Sequence, residues 1–133
     1  MKHEEYQALP MTWRDAPAAY PLIYLHDASV TLDAWLEFVR RRVDVGTDDT
    51  GLIIIRDSQN IVHALFAYRV DLDLKGDRQL CIAQLIVAQI PGSQIDQAVI
   101  ASTQQAAHRL GCVAITIEQP FQLPHLSQTE TAA

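Results

Sequence analysis

Leu85-Ile86-Val87-Ala88-Gln89-Ile90-Pro91-Gly92-Ser93-Gln94-Ile95-Asp96, running on through Ala106-Ala107-His108-Arg109-Leu110-Gly111-Cys112 to Val113-Ala114-Ile115-Thr116-Ile117, is the stretch that decides the fold. It begins with an apolar triplet and crosses a short loop that carries Pro91 and Gly92. It then reads as a helix from about Gln94 to Leu110 and closes on a second apolar strand. This is the layout of a βαβ unit, whose strands lie parallel and are joined by a right-handed crossover. Ile95, Ala98, Val99, Ala106 and Leu110 fall on or near one side of the helix, with Ser102 among them, so that side should face a core. His108 and Arg109 suit the negative helix end, and Gly111 is a natural residue just past it.

Upstream, Leu52-Ile53-Ile54-Ile55 is apolar at every position, which predicts a strand covered on both faces. Asp57-Ser58-Gln59-Asn60 is a polar turn. Ile61 to Leu74 reads as a long strand whose far half alternates: Val70, Leu72 and Leu74 on one face, Arg69, Asp71 and Asp73 on the other. Lys75-Gly76-Asp77 turns the chain back into Gln79–Ala88, with Gln84 its one polar interruption. These three strands form an antiparallel meander, with 113–117 parallel to 79–88.

A helix is expected from Thr31, its N-cap, with Leu32, Trp35, Leu36, Val39 and Val43 on the apolar face. Glu37 and Arg41 are an i,i+4 pair, and Arg40-Arg41-Arg42 favour the helix end. Gly46 and Thr47-Asp48-Asp49-Thr50 end that element. Pro21-Leu22-Ile23-Tyr24-Leu25-His26 reads as a further strand, rich in branched and aromatic residues. Residues 1–20 sustain no period and are expected to be irregular, with Met11-Thr12-Trp13-Arg14 as a loosely held short strand. Pro120 and Pro124 argue against a helix or central strand in the tail 119–133, expected to be partly disordered. The fold class is therefore α+β, a single domain built on a mixed, mostly antiparallel sheet with the βαβ unit at its C-terminal end.

The chain has 133 residues, 49% hydrophobic and 20% charged, enough for one packed core. A formal net charge of −6 leaves no broad basic surface, so nucleic acid is not an expected partner. No apolar run reaches the roughly 18 residues of a membrane span, and the N-terminus has no secretory pattern. Cys81 and Cys112 lie far apart in apolar settings and read as reduced thiols. A cytoplasmic location and no membrane partner are expected. The five histidines and two cysteines show no metal-ligand spacing.

The order of elements, together with Gln97-Ala98-Val99-Ile100 through Leu110-Gly111-Cys112-Val113-Ala114-Ile115-Thr116-Ile117, resembles the GNAT acyltransferase superfamily over about residues 20–118. The resemblance implies acetyl-CoA or another acyl-CoA as cofactor, held along Leu85, Ile86 and Val87 and by the loop residues Gly92, Ser93, Gln94 and Ile95. It implies an amine acceptor. In that family a Gln/Arg-x-x-Gly-x-Gly/Ala turn presents backbone N–H groups to the pyrophosphate. Here Pro91 takes the Gln/Arg place and has no N–H. Gln94 takes the first glycine's place, and Asp96 takes that of the last small residue. The loop reads one residue short. Asp96 sets a carboxylate where phosphate would sit, a repulsion on the order of a few kcal/mol at 4–6 Å in a near-surface dielectric. The resemblance also implies a further helix with a tyrosine acid and a final hairpin after strand 113–117. The sequence given has no tyrosine after Tyr68, and the resemblance is therefore expected to be that of a divergent, C-terminally truncated member of the superfamily.

Glu118, just past that strand, is the catalytic candidate; its alternative reading is a solvated strand end. No Asp or Glu stands between Asp77 and Asp96 to act as base on the neighbouring strand. His63 and Tyr68 point to opposite faces by parity and cannot share a cleft without a bulge. Gln84 either faces a cleft or satisfies a bulge. His26-Asp27, as neighbours in a strand, would point apart. Ser93 lacks a Gly-x-Ser-x-Gly setting. Two functions remain open: an acyl-CoA-dependent N-acyltransferase with a degenerate pyrophosphate loop, or a non-catalytic binding or dimerisation module. In the second, strand 113–117 is an apolar edge paired by the tail or by a second copy, giving a homodimer.

Overall fold

The computed structural model describes residues 5–43 and 48–118. One five-stranded sheet carries the chain, in the order β1 (Tyr6–Pro10), β2 (Thr50–Asp57), β3 (Val62–Leu72), β4 (Arg78–Val87) and β5 (Ala114–Ile117). The first four strands are antiparallel, and β5 lies parallel to β4. Helices α1 (Ala16–His26) and α2 (Leu32–Val43) pack on one face, and α3 (Ile95–Arg109) packs on the other. The architecture is α+β, with the meander and the βαβ unit where the sequence places them.

The run 52–55 is buried on both faces, at 4% exposure or less. Leu52 and Ile54 join the α1/α2 core, whereas Ile53 and Ile55 join the α3 core. On α2, Trp35 and Val39 are buried, Leu36 and Val43 pack at the margin, and Leu32 is 42% exposed. Thr31 Oγ1 accepts the Ala34 N–H at 3.1 Å, the N-cap bond expected of it. Glu37 accepts from Arg41 at 2.8 Å and also from Arg40. The exit of α3 is clamped by Arg78, whose Nε donates to Leu110 O at 2.9 Å, while Gly111 turns at φ +72°. Both cysteines are free, and burial pushes both thiols above the usual range.

Residues 21–26 are helical, not a strand, and residues 6–20 are not irregular. A short 3-10 turn, Trp13–Asp15, leads into α1. There the Asp15 carboxylate accepts the Thr12 N–H at 2.8 Å and the Thr12 hydroxyl at 2.9 Å. Pro17 sits in the first helical turn, where a missing N–H costs nothing. Ala16, Ala19, Leu22 and Ile23 then repeat at helical spacing and are buried against α2 and the sheet. That packing overrides the strand preference of Ile23 and Tyr24 and the lost hydrogen bond at Pro21. The edge strand is instead β1, paired with β2 from Tyr6–Asp57 to Pro10–Ile53. It was missed because Pro10 reads as punctuation, yet an edge strand tolerates a terminal proline. Gly46 and the tail 119–133, with the readings made for them, lie outside the described residues.

Candidate active site

A bulge in β4 sets the site. Leu65 pairs with Ile86 and Ala67 with Ala83, so β4 carries one more residue than β3 across this step. Gln84 absorbs it at φ +52°, a left-handed conformation that a non-glycine residue adopts at a cost of about 1–2 kcal/mol. The extra residue inverts the facing of the strand. Before it, Leu80 and Ile82 point to α3; after it, Ile86 points to α1 and α2, and Leu85 packs with α3. On the other edge of β4, β5 pairs only from Gln79–Ala114 to Ile82–Ile117, with a last bond from Glu118 N to Ile82 O at 2.8 Å. Beyond Ile82 no described strand lies on that side, so the segment Leu85–Val87 stands next to a gap in the sheet.

The loop after β4 leads into α3, whose first residue, Ile95, packs with Leu85 and Val87. Ser93 N donates to Ile90 O at 3.1 Å across a tight turn with Pro91 and Gly92 at its corners. Gly92 sits at φ +81°, as the second corner of a type II turn requires. No atom lies within 4 Å of where its Cβ would be, so the turn is open to solvent there. Gln94 enters α3 without a side-chain cap. The first N–H groups of the helix therefore lack the usual side-chain acceptor. Ile95 is buried and anchors the helix, while Asp96 is exposed in its first turn.

On the opposite side of β4 a cavity of about 300 Å³ opens between α1, α2 and the bulge. Ile23, Val30, Trp35, Phe38, Leu65 and Ile86 wall it, and Gln84, His26 and Asp27 supply polar atoms. His26 ends α1 and Asp27 follows in extended conformation, φ −155° and ψ 101°. The helix end turns both residues toward one cavity, contrary to their reading as strand neighbours. Asp27 Oδ1 accepts the Ser29 N–H at 3.0 Å and the Ser29 hydroxyl at 2.6 Å. These bonds, with a smaller contribution from His26, hold its carboxyl below the usual range.

The other candidates are distributed differently. Glu118 is gripped by Arg69, whose Nη1 and Nη2 reach its two oxygens while Nε holds Asp71 at 2.9 Å. Both oxygens of Glu118 are thus committed, and the two carboxylates push the guanidinium pKa upward. His63 sits at a second bulge, where Ile55 pairs with Ala64 but Arg56 with Val62. That bulge defeats the parity argument. His63 Nε2 donates to Asp57 Oδ2 at 2.8 Å, and its ring meets Tyr6 edge-on at 5.3 Å. Tyr6 packs with the α3 core, and so does Tyr68. Tyr68 is buried over Gly51. Asp57 also accepts the N–H groups of Gln59 and Ile61, and the bond from His63 is the largest of the effects lowering its pKa.

No protein-family model matches the chain, and no curated protein matches its sequence. Solved structures do match. A GNAT family acetyltransferase from Staphylococcus aureus superposes with a TM-score of 0.72 at 14% identity, covering 87% of this chain and 87% of that one. An aminoglycoside N-acetyltransferase in complex with CoA gives 0.69 at 12% identity, covering 98% and 86%. Glucosamine-6-phosphate N-acetyltransferase from Arabidopsis thaliana gives 0.67 at 14%, covering 96% and 89%. The chain has the GNAT acetyltransferase fold. Among the described residues no helix is long and apolar enough to cross a membrane.

Proposed function

We infer that this is an acyl-CoA-dependent N-acyltransferase with a degenerate pyrophosphate loop. The observation that carries the reading is the bulge at Gln84, which falls just beyond Ile82, where the pairing of β5 with β4 ends. Leu85, Ile86 and Val87 would hold the pantetheine arm along their main chain, as an added strand would. Gly92, Ser93, Gln94 and Ile95 would meet the phosphates through backbone N–H groups. The fit is good for the arm and poor for the diphosphate, because Pro91 donates nothing and Asp96 is anionic.

An acyl thioester supplies an activated acyl group. The chain would supply proximity and a backbone amide near the bulge to polarise the carbonyl. The acceptor nitrogen forms the new C–N bond as the C–S bond breaks. Of the two protons its ammonium loses, one goes to solvent at the cavity mouth and the other leaves on the thiol. Glu118 is a poor base in this reading, since Arg69 occupies both of its oxygens. Calorimetric titration with CoA and acetyl-CoA tests the function: measurable heat at millimolar concentration is expected, and its absence would end the acyltransferase reading.

A second reading rests on a separate observation. Every residue of β5 is exposed, with Ile115 at 37% and Ile117 at 55%. An apolar edge of this kind invites another strand. On this reading the domain is a non-catalytic dimerisation module whose loop no longer grips CoA.

A further inference from the structure

We propose that the cavity between α1, α2 and β4 is the site of a small monoamine with an aromatic or branched aliphatic body, whose ammonium is held by Asp27. The inference deepens the acyltransferase reading and rests on it for the monoamine's role as acceptor.

The cavity's volume lies at the low end for ligand sites, which excludes large acceptors. Its walls are aliphatic and aromatic, and Trp35 and Phe38 stack at 5.9 Å with an 18° tilt between their planes. Such walls reward an apolar body and leave sugar hydroxyls unmatched. Asp27 is the one carboxylate in the lining, and no lysine or arginine joins it. Its Oδ1 is taken by Ser29, whereas Oδ2 has no hydrogen bond among the described residues. An ammonium group therefore has one anionic acceptor. The second charge of a polyamine would have to sit against apolar wall. The carboxylate of an amino acid would meet Asp27 with no lysine or arginine in the lining to balance it. Net charge −6 further favours a cation over an anion at the mouth. Gln84, at the bulge, lies on the same cavity, so an amine held there is beside the strand segment assigned to the acyl thioester.

The test titrates 2-phenylethylamine into the full chain near pH 7.5, followed by calorimetry or amide NMR shifts, with 2-phenylethanol, spermine and phenylalanine as comparators. Saturable binding of the amine is expected, several-fold tighter than any comparator. Asp27 is solvent-exposed, and Asp27→Asn, which keeps an oxygen for Ser29, should weaken the amine several-fold while leaving 2-phenylethanol unchanged. Ala34→Phe, on the exposed rim, should fill the cavity and abolish binding of both. Glu37→Gln, which removes one charge from α2 outside the cavity, should change nothing. Equal binding of amine and alcohol, or an amine affinity insensitive to Asp27→Asn, would overturn the proposal. So would the absence of amine binding in a sample that still responds to CoA, which would leave the acyltransferase reading intact. Amine binding with no response to CoA supports the amine site and overturns the transfer reading alone.

Discussion

Asp96 stands one residue into α3, exposed, with the backbone N–H groups of an uncapped helix start beside it. Its charge satisfies the positive helix end that a phosphate would otherwise occupy. Replacing it by asparagine keeps the size and removes the charge. Asp96→Asn is expected to tighten CoA binding by up to about tenfold in calorimetry, because the like-charge cost at 4–6 Å lies between about 1 kcal/mol in water and about 4 kcal/mol near a protein surface. An unchanged affinity would mean the diphosphate does not approach this turn. Asp57 makes a prediction of a different kind. Its carboxyl is held low chiefly by the bond from His63 Nε2 and then by the Ile61 N–H. A depressed carboxyl pKa adds stability that is complete above the ordinary carboxylate range and disappears as pH falls through the lowered value. Urea midpoints should therefore separate wild type from Asp57→Asn at neutral pH, and the gap should narrow once pH drops below about 4. A gap that stays constant into acid would show that the charge of Asp57 is not what stabilises that corner.

The elements show where sequence reasoning reaches and where it stops. The meander and the βαβ unit could be read because their patterns agree at every level: 52–55 apolar throughout, the polar turn at 57–60, Gly111 after a helix with cations in its last turn. Helix α1 could not, because local preference and packing disagree. Ile23 and Tyr24 favour a strand, whereas Asp15-Ala16-Pro17 is a helix start that looks like mere interruption. Recognising that start would also have brought His26 and Asp27 to the cavity. The bulge at Gln84 is one of two readings open to the lone polar residue of an apolar strand, whereas the bulge at His63 leaves no mark in composition, and parity holds only where no such residue intervenes. Packing of α1 on α2 centres on Trp35, buried to 4% exposure, whose Nε1 donates to Ala16 O at 2.7 Å. Trp35→Phe should lower unfolding stability by about 1–2 kcal/mol, from the lost bond and the smaller ring. A chemical denaturation midpoint unchanged within error would show that α1 is held by other contacts.

At the scale of the whole molecule, the sheet ends on a strand of four residues with no described neighbour on its outer side. If the dimerisation reading holds, Ile117→Lys should convert the protein to monomer in light scattering with little loss of secondary structure, since the residue is 55% exposed. A wild type that is itself monomeric would remove that reading. Arg69 pairs with Asp71 within β3 and, across β4, with Glu118 just past the end of β5, but the half-exposed side chains of these pairs contribute only about 1 kcal/mol or less each. They fix where β5 ends more than they hold the sheet together. Gln84 has the wider reach. Shortening the chain by that one residue would delete no core side chain, yet it would rotate Leu85, Ile86 and Val87 to the wrong layers and let β4 lie flush along β3. Substitutions there can be absorbed locally; a change in residue count cannot, so the residue count of this strand matters more to the layering than the identity of the residue at its bulge.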